Sequence, residues 1–235
     1  MIAEAPTAMV LAAGRGERMR PLTDQTPKSL LKVGGQTLME HHLGKLARAG
    51  FRRVVINHAH LGEQIVSAVG DGRRWNITVL FSAESQALET AGGIANALHL
   101  IDAQTFAVVN ADIFSEYDYA HLQDATQRLF QNRRWNAHLV LVDNPSHNRA
   151  GDFALLDGSV RTDSGPKLTF AGLAAYRADM FISLPAATRA PLAPMLRTQI
   201  QAGHVSGERF GGYWVDVGTP QRLALANAHL GNGKT

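Results

Sequence analysis

The sequence predicts an α/β fold: a doubly wound, mixed but mostly parallel sheet with helices on both faces. In the first half of the chain, short runs that are apolar at every position alternate with segments of helical character. Continuously apolar strands are typical of parallel sheets, which are buried on both faces, and each helix then connects two strands by a right-handed crossover. The predicted strands of this half cover residues 8–13, 54–56, 77–81 and 106–109.

Helix signals separate these strands. Thr37 and Glu40 have the spacing of a capping box, which predicts a helix that runs to about Ala49, with Gly50 at its C′ position. Further helices are predicted at 61–69 and 90–100.

The second half of the sequence is less regular. Helices are predicted at 119–130 and 191–202, a strand at 137–142, and extended segments at 153–156 and 168–176. Thr219 and Pro220 suit the N-cap and the first position of a last helix. A length of 235 residues fits a single domain, 1–235, with one half over 7–112 and the other over 113–230.

Composition excludes several classes of protein. The chain has no cysteine, which rules out disulfides, thiolate chemistry and Cys-ligated zinc. The net charge of +3 is modest, and no run of Lys and Arg resembles a nucleic-acid footprint. The N-terminus lacks the pattern of a secretion signal, and no apolar run is long enough to span a membrane, so a cytoplasmic protein is expected.

The loop after the first strand is the main candidate for a binding site. Gly14 and Gly16 allow backbone N–H groups to approach an anion closely. The third glycine of a dinucleotide fingerprint would fall at Met19, and no Gly-Lys-Ser/Thr follows, so neither common phosphate-binding motif is present. Four cationic side chains in and after the loop can balance a polyphosphate: Arg15, Arg18, Arg20 and Lys28.

Asp112 and Asp216 each follow or end an apolar strand. Ligands bind outside the carboxyl ends of the strands in sheets of this kind, so two such carboxylates can converge on one point and hold Mg²⁺. The alternative is that each aspartate only caps the turn that follows it. A cationic loop beside a magnesium site indicates phosphoryl or nucleotidyl transfer, in which the protein positions groups and stabilises charge.

These residues carry a resemblance to a known family. The chain resembles the sugar-1-phosphate nucleotidyltransferases over nearly its whole length, and the motifs occur in that family's order. They are residues 11–23 with Pro27 and Lys28, Leu-Glu-Thr-Ala-Gly-Gly at 88–93, Asn-Ala-Asp at 110–112, and Trp-Val-Asp-Val-Gly-Thr-Pro at 214–220.

The resemblance implies a Rossmann-like nucleotidyltransferase fold and a reaction that joins a nucleotide to a sugar-1-phosphate with release of pyrophosphate. It implies that Arg18 and Lys28 act on the phosphates, that Asp112 and Asp216 hold Mg²⁺, and that Glu84 faces the edge of the base. It assigns 7–112 to the nucleotide and 113–230 to the sugar phosphate. The implied nucleotide-binding residues are Leu11, Ala13, Gly14, Gly16, Glu84, Thr90 and Gly92.

Within the family, Glu89 stands where guanylyltransferases often have glycine. That form of the motif, the short chain and Val-Ser-Gly-Glu at 205–208 resemble the N-acetylmuramate-1-phosphate uridylyltransferases of bacterial cell-wall recycling. UTP and N-acetylmuramic acid 1-phosphate are therefore the favoured substrates. A mannose- or heptose-1-phosphate guanylyltransferase that uses GTP, and a non-catalytic sensor of nucleotide-sugars, are the alternatives.

The sugar side departs from larger members of the family. Residues 162–167 replace their Glu-Lys-Pro stretch, and the left-handed β-helix that many of them carry is not expected here. A monomer or weak homodimer is expected. The residues that the resemblance places in the sugar pocket are Asn144, Gly151, Asp152 and Gly172.

Overall fold

The computed structural model of the protein describes residues 5–163 and 165–232. The expectation about an N-terminal secretion signal falls partly on residues 1–4, which lie outside this range. The strands are β1 Thr7–Leu11, β2 Lys32–Val33, β3 Gln36–Thr37, β4 Arg53–His58, β5 Thr78–Ala83, β6 Thr105–Asn110, β7 Ile113–Ser115, β8 Ala137–Val142, β9 Phe153–Leu156, β10 Ser159–Arg161, β11 Lys167–Arg177, β12 Val205–Phe210 and β13 Trp214–Asp216. The α-helices are α1 Leu22–Gln25, α2 Leu38–Arg48, α3 Gly62–Val69, α4 Glu89–Ile101, α5 Ala120–Gln131, α6 Leu192–Gln201 and α7 Pro220–Asn232.

Nine of these strands form one mixed sheet in the order β5-β4-β1-β6-β11-β8-β12-β10-β9. The first four are parallel, with Met9 of β1 paired to Val55 on one side and to Val108 on the other. Strand β11 then runs antiparallel to both β6 and β8, β12 is parallel to β8, and β10 joins β12 and β9 by antiparallel pairs. The prediction of a mostly parallel sheet therefore holds for the first four strands, whereas antiparallel pairing dominates beyond β6.

Helices cover both faces of the sheet, as predicted. Successive residues of β1 point to opposite faces: Val10 belongs to a core that includes buried residues of α2 and α3, whereas Met9 belongs to a core with α4 and α6. This alternation follows from the period of two in a strand. Both faces of the parallel strands are buried, which explains why their sequences are apolar throughout.

The predicted helix boundaries are confirmed at two helices. The Thr37 side chain accepts a hydrogen bond from the Glu40 N–H, and the Glu40 carboxylate accepts one from the Thr37 N–H, which completes the capping box of α2. Gly50 follows the C-cap of α2 with a φ of 93°. At the start of α7, the backbone N–H of Arg222 donates a hydrogen bond to Thr219 Oγ1 over 3.4 Å.

Two two-stranded sheets, β2 with β3 and β7 with β13, were not predicted. β7 and β13 pair in antiparallel fashion beside the main sheet, and a small core packs α7 against them, including Phe114, Val217 and Ala226. This unit brings the end of the chain back to the end of β6. No helix within the described ranges is long and apolar enough to cross a membrane.

Candidate active site

The carboxyl ends of the four parallel strands border a cavity of about 430 Å³. Taken in the order β5, β4, β1 and β6, these ends lead to the 84–90 turn, to Asn57, to the glycine loop, and to Asp112. The cavity is lined by Leu11, Ala12, Ala13, Gly14, Gly16, Glu17, Arg18, Lys28, Ser29, Asn57, Ala87, Glu89, Thr90, Asn110, Ala111, Asp112, Arg189 and Gly218.

The glycine loop is held closed by contacts at Gly16. This residue has a φ of 70°, and a Cβ placed on it would lie 3.0 Å from Thr23 Cγ2. The Thr23 hydroxyl donates to the Gly16 carbonyl over 2.8 Å, so the two ends of the loop are tied together. Gly16 therefore has a left-handed backbone conformation and lies close to the Thr23 side chain. Any other residue would be strained at this position.

The four predicted cations divide into two pairs with different roles. Arg18 and Lys28 line the cavity. Arg15 instead donates to the Thr23 carbonyl over 2.6 Å and pairs with Asp24 over 3.0 Å, while Arg20 lies 3.3 Å from Asp24. Arg15 and Arg20 thus brace the loop, and its ligand-facing charge comes from Arg18 and Lys28.

Lys28 and Asp112 form a close ion pair in the cavity wall. Lys28 Nζ lies 2.5 Å from Asp112 Oδ2, and the lysine side chain is only 12% exposed. A cationic side chain so little exposed is stabilised by a partner of opposite charge. Asp112 supplies that partner while its own side chain remains 38% exposed to the cavity.

The β7–β13 pairing brings Asp216 beside Asp112. Asp216 is opposite Ile113 in the antiparallel ladder, and the next residue, Val217, donates its N–H to the Asp112 carbonyl over 2.7 Å. The two aspartates are therefore neighbours across the ladder although they are far apart in the sequence. We predicted that the two aspartates converge because both follow strands of one sheet. They do lie close in the backbone, but the pairing of β7 with β13 brings them together, not the main sheet.

The side chains of Arg222 and His147 contact the Asp216 carboxylate. Arg222 of α7 places Nη2 3.0 Å from Oδ1 and Nη1 3.1 Å from Oδ2, and His147 Nε2 lies 3.1 Å from Oδ2. Arg18 is close by, since a Cβ on Gly218 would lie 2.7 Å from Asp216 Oδ1 and 3.1 Å from Arg18 Nη2.

Asp112 and Asp216 together offer the hard oxygen donors that suit Mg²⁺. Among the described residues, no group of three or more His, Cys, Asp or Glu side chains could enclose a metal ion. A metal at these two carboxylates would complete its shell with water and phosphate oxygens, which is how Mg²⁺ commonly binds beside nucleotides.

The Glu84 carboxylate lies behind the cavity wall, which differs from the expectation that it faces a base. The residue is 7% exposed, and its two oxygens accept from Asn57 Nδ2 at 2.7 Å and from the Leu88 N–H at 2.9 Å. Asn57 Oδ1 in turn accepts from the Ala12 N–H at 2.9 Å. Glu84 is buried because these donors satisfy it, and it positions Asn57, which does line the cavity.

The other predicted nucleotide-binding residues fall in two groups. Leu11, Ala13, Gly14, Gly16 and Thr90 line the cavity. Gly92 instead packs under the 187–190 segment, where a Cβ would lie 2.2 Å from the Thr188 carbonyl oxygen. This glycine allows a close backbone contact and does not border the cavity.

The four predicted sugar-pocket residues lie outside the cavity wall. Asn144 accepts from the Thr169 hydroxyl over 2.9 Å, and Asp152 accepts from the Phe170 N–H over 2.8 Å, so both join the 143–152 loop to β11. A Cβ on Gly151 would lie 2.9 Å from Asn144 Oδ1. These three positions therefore stabilise the loop through internal contacts.

Gly172 is the exception among these four, because it supports a cavity residue. Its φ is 72°, at the irregularity where β11 changes register against β8, and a Cβ there would lie 2.7 Å from Asn110 Nδ2. Asn110 lines the cavity. Gly172 thus sets the position of Asn110 from the neighbouring strand.

A buried polar layer beneath β7 was not predicted. His42 and Tyr119 hydrogen-bond over 2.8 Å, and burial, together with the nearby Lys45 charge, lowers the pKa of His42 to about 3. Lys45 donates to the carbonyls of Ser115 and Tyr117, and burial lowers its pKa to about 8. These contacts fix the chain that leaves β7, and with it the strand that pairs to β13.

Other cavity residues have no local sequence signal. Arg189 comes from the coil before α6, and it pairs with Glu89, its Nη2 lying 2.8 Å from Glu89 Oε1. Arg222 lies in α7 and contacts Asp216 without lining the cavity. Only the folded chain brings Arg189 to the cavity and Arg222 to Asp216, although Glu89 was noted as a departure from glycine.

Comparisons with known proteins identify the family of the chain. The Nucleotidyl transferase family matches residues 7–151. A protein from Neisseria meningitidis serogroup B, named N-acetylmuramate alpha-1-phosphate uridylyltransferase, is 49% identical over 97% of this chain and 99% of its own. A protein of the same name from Caulobacter vibrioides is 33% identical over 95% of this chain and 96% of its own.

Solved structures show the same fold. A crystal structure from Bacillus anthracis, containing sucrose, superposes with a TM-score of 0.81 at 22% identity, over 96% of this chain and 95% of that one. HddC from Yersinia pseudotuberculosis, in complex with GMP-PN, gives a TM-score of 0.77 at 20% identity, over 96% and 99%. By fold, by the matched motifs and by identity over nearly its full length, the chain belongs to the nucleotidyl transferase family.

Proposed function

We propose that this protein transfers a uridylyl group from UTP to N-acetylmuramic acid 1-phosphate, giving the nucleotide-sugar and pyrophosphate. The observation that carries the reaction class is that Arg18, Lys28 and Asp112 line one cavity, while Asp216 lies beside Asp112 across the β7–β13 ladder. The substrate pair is supported by the full-length relatives of that name, one of them 49% identical. The reaction would place the enzyme in the recycling of cell-wall sugars.

The layout of the cavity supports one orientation of the nucleotide. Arg18, Lys28 and the glycine loop suit the phosphates, since cations and backbone N–H groups stabilise anionic oxygens. The base then extends toward the ends of β4 and β5, where Ala12, Asn57 and the 87–90 turn form the wall. In this orientation residues 7–112 hold the nucleotide.

The sugar phosphate enters from the side of the second half, 113–230. Asp216, with His147 and Arg222 around it, lies between the cavity and this half of the chain. Asn144, Gly151, Asp152 and Gly172 shape that side through the loop and strand that they brace, and we assign them a supporting part in the sugar pocket.

Asp112 and Asp216 would hold a magnesium ion. Such an ion would supply positive charge against the phosphate oxygens of the substrates. Both carboxylates fit this role because each is partly exposed and already faces cations that a metal can replace. If the ion pair between Asp112 and Lys28 were broken, Lys28 would be free to contact the phosphoryl group that is transferred.

The protein needs no general base for this reaction. A phosphate monoester has its second pKa near 6, so the acceptor is mostly dianionic at neutral pH. One of its oxygens forms a bond to the α-phosphorus of UTP, and the bond from that phosphorus to the pyrophosphate oxygen breaks. Arg18 and Lys28 stabilise the negative charge on the leaving pyrophosphate and on the phosphorus centre.

The test is release of pyrophosphate from UTP and from GTP, each with a panel of sugar-1-phosphates, in the presence of Mg²⁺. We expect the highest kcat/KM with UTP and N-acetylmuramic acid 1-phosphate. A preference for GTP with mannose or heptose 1-phosphate would replace the proposal by guanylyl transfer. Binding of nucleotide-sugar without turnover of any pair would identify a sensor instead.

A further inference from the structure

The Asp216 carboxylate has a close partner at each of its two oxygens. Arg222 Nη2 lies 3.0 Å from Oδ1, and Arg222 Nη1 and His147 Nε2 both lie 3.1 Å from Oδ2. Oδ1 is buried beneath its neighbours. A cation can therefore reach this oxygen only if a neighbouring side chain moves, although Asp216 is one of the two carboxylates proposed to hold Mg²⁺.

The cationic partner of Asp112 differs from that of Asp216 in its place. Lys28, 2.5 Å from Asp112 Oδ2, lines the cavity, so it can contact a nucleotide from its present position. Arg222 lies behind the wall and does not line the cavity. The part of Arg222 in the reaction therefore depends on whether its guanidinium has a route to the cavity.

Arg222 has a fixed backbone and a side chain that is incompletely satisfied. Its N–H donates to Thr219 Oγ1 over 3.4 Å, and α7 packs through Ala226 into the small core that includes Val217. The side chain is only 11% exposed, yet its buried Nε–H has no hydrogen-bond partner among the described residues. Buried donors nearly always have a partner, so this position of the guanidinium leaves one donor to be satisfied in another arrangement.

Gly218 joins the Arg222 guanidinium to the cavity. Gly218 lines the cavity, and a Cβ placed on it would collide with Arg222 Nη2. The same Cβ would lie 2.7 Å from Asp216 Oδ1 and 3.1 Å from Arg18 Nη2. A side chain at this position would separate Arg222 from the cavity. With glycine there, rotation of the Arg222 side chain gives the guanidinium a route through the wall while α7 stays in place.

Arg18 and Arg222 place two guanidinium groups beside one carboxylate. Both lie within contact distance of a Cβ placed on Gly218, and Arg18 already lines the cavity. Like charges at close range repel each other unless an anion lies between them, and here Asp216 supplies that anion. If Asp216 turned to a metal ion, the two guanidiniums would need another anion, and a phosphate offers oxygens to both.

Resting on the proposed function, we propose that Arg222 is a substrate-binding residue that exchanges partners during the reaction cycle. It masks Asp216 in the protein without metal. When Asp216 takes part in metal binding, the guanidinium turns past Gly218 and binds the phosphate of the sugar-1-phosphate beside Arg18. The acceptor phosphate is its partner because α7 and β13 belong to the half of the chain assigned to the sugar, whereas the glycine loop serves the nucleotide.

The masking is tested with Mn²⁺ as a probe of the metal site, by electron paramagnetic resonance on the protein without nucleotide or sugar. Arg222→Gln removes the cation that competes for Asp216, so the protein should bind Mn²⁺ about tenfold more tightly. Arg222→Lys retains a cation and should leave the affinity near that of the wild type. A residue that only orients Asp216 would have the opposite effect, since its loss would weaken Mn²⁺ binding.

The exchange is tested with the acceptor. The KM for the sugar-1-phosphate should rise by about tenfold or more in Arg222→Gln, because a charge-assisted contact to its phosphate is lost, while the KM for the nucleotide should change by less than about threefold. Arg222→Lys should recover part of this loss. Calorimetry with N-acetylmuramic acid 1-phosphate gives the same comparison as a dissociation constant and needs no turnover.

Arg209 provides a matched control. Its Nε and Nη2 each lie 2.9 Å from an oxygen of Asp143, so Arg209→Gln breaks a two-point contact between arginine and carboxylate that does not border the cavity. Neither the Mn²⁺ affinity nor the KM for the acceptor should change in this variant. Thermal melting of all three variants identifies any effect that arises from unfolding.

The outcomes are distinct from those of the proposed function. Unchanged or weaker Mn²⁺ binding in Arg222→Gln overturns the masking of Asp216, whichever substrates the protein uses. An unchanged KM and dissociation constant for the acceptor overturn the exchange. A preference for GTP or for another sugar-1-phosphate would replace the substrate pair of the proposed function and leave both tests of Arg222 in force.

Discussion

The two halves of the main sheet use the same residue types in different ways. In the parallel half, β5, β4, β1 and β6 end at the cavity, and Asn57 and Asp112 at those ends border it. In the other half, Asn144 and Asp152 make hydrogen bonds to β11 and to residues beside it. In the main sheet, the polar residues that follow strands border the cavity only where neighbouring strands end at the same edge.

The difference follows from strand direction. Parallel neighbours bring their carboxyl ends to one edge, so the loops after them converge on a ligand. Antiparallel neighbours bring opposite ends together, and the loop after β8 meets the beginning of β11, where unpaired backbone groups need partners. The following predictions test this division, beginning with the largest expected effect.

Asp112→Asn should abolish most of the activity without unfolding the protein. The change keeps the shape of the side chain but removes the charge that pairs with Lys28 and that would hold Mg²⁺. We expect kcat to fall by about 10³-fold, the scale of a lost electrostatic contact to a transition state. Asp143→Asn, which removes an exposed pair with Arg209 in the other half, should leave kcat unchanged.

Arg18→Ala and Arg15→Ala should separate the cations of the loop. Arg18 borders the cavity, so its loss should lower kcat/KM by about 10²-fold with little change in the melting temperature. Arg15 braces Thr23 and Asp24, so its loss should act through loop order and cost less than about tenfold. Equal losses of activity would show that both arginines reach the phosphates.

Gly172→Ala should show how strongly the second half supports the first. A Cβ at this position meets Asn110 Nδ2 at 2.7 Å on a backbone with a φ of 72°. We expect a loss of about 2 kcal/mol in the free energy of unfolding, from left-handed strain and displacement of Asn110. Gly158→Ala has a similar φ of 73° but nothing within 4 Å of the new Cβ, so it isolates the backbone term.

His42 should make the stability of the protein depend on pH below neutrality. Its pKa is about 3 when folded, against about 6.5 when unfolded, because burial disfavours the charged form. The unfolded chain therefore binds one more proton between these values, and stability falls as the pH falls through that window. The slope contributed by this group is about 1.4 kcal/mol per pH unit.

The measurement is chemical denaturation at several pH values from 6.5 to 4.5. His42→Gln should remove this slope, whereas His99→Gln, at an exposed position of α4, should preserve it. Glu208 in the other half acts at lower pH: His138, with Nε2 3.9 Å from Oε1, and the Tyr117 hydroxyl hold its pKa near 2. A slope in His42→Gln equal to that of the wild type would contradict the assignment.

Asp152→Asn should have the smallest effect and tests the sugar pocket directly. The carboxylate accepts from the Phe170 N–H over 2.8 Å and from Asn148 over 3.2 Å. We expect a loss of about 1 kcal/mol of stability and a KM for the sugar phosphate that changes by less than about threefold. A large rise in that KM, with KM for UTP unchanged, would show that Asp152 binds the sugar.

Much of the parallel half could be predicted from the sequence because its signals are local. Strands buried on both faces are apolar at every position, and Thr37 with Glu40 marks a helix start. The glycine loop was found by its residues, and Gly16 does occupy the left-handed conformation that only glycine adopts easily. Asp112 followed from its place after an apolar strand.

The remainder depends on tertiary contacts that no local pattern encodes. Strand β12, with Ser206, Glu208 and Arg209 among its residues, lacks an apolar run, and its position beside β8 provides the pairing that makes it a strand. Nothing in the local sequence distinguishes the roles of Arg15 and Arg18. Only the fold of the loop directs Arg15 to Asp24 and Arg18 to the cavity. Glu84 is buried because Asn57 and Leu88 satisfy its carboxylate.

The β7–β13 ribbon has a consequence for the order in which the protein gains activity during synthesis. The ribosome releases Asp112 with the parallel half long before Asp216, which reaches its place only when β13 docks on β7. If Asp216 holds the metal as proposed, turnover would begin only after β13 has paired with β7.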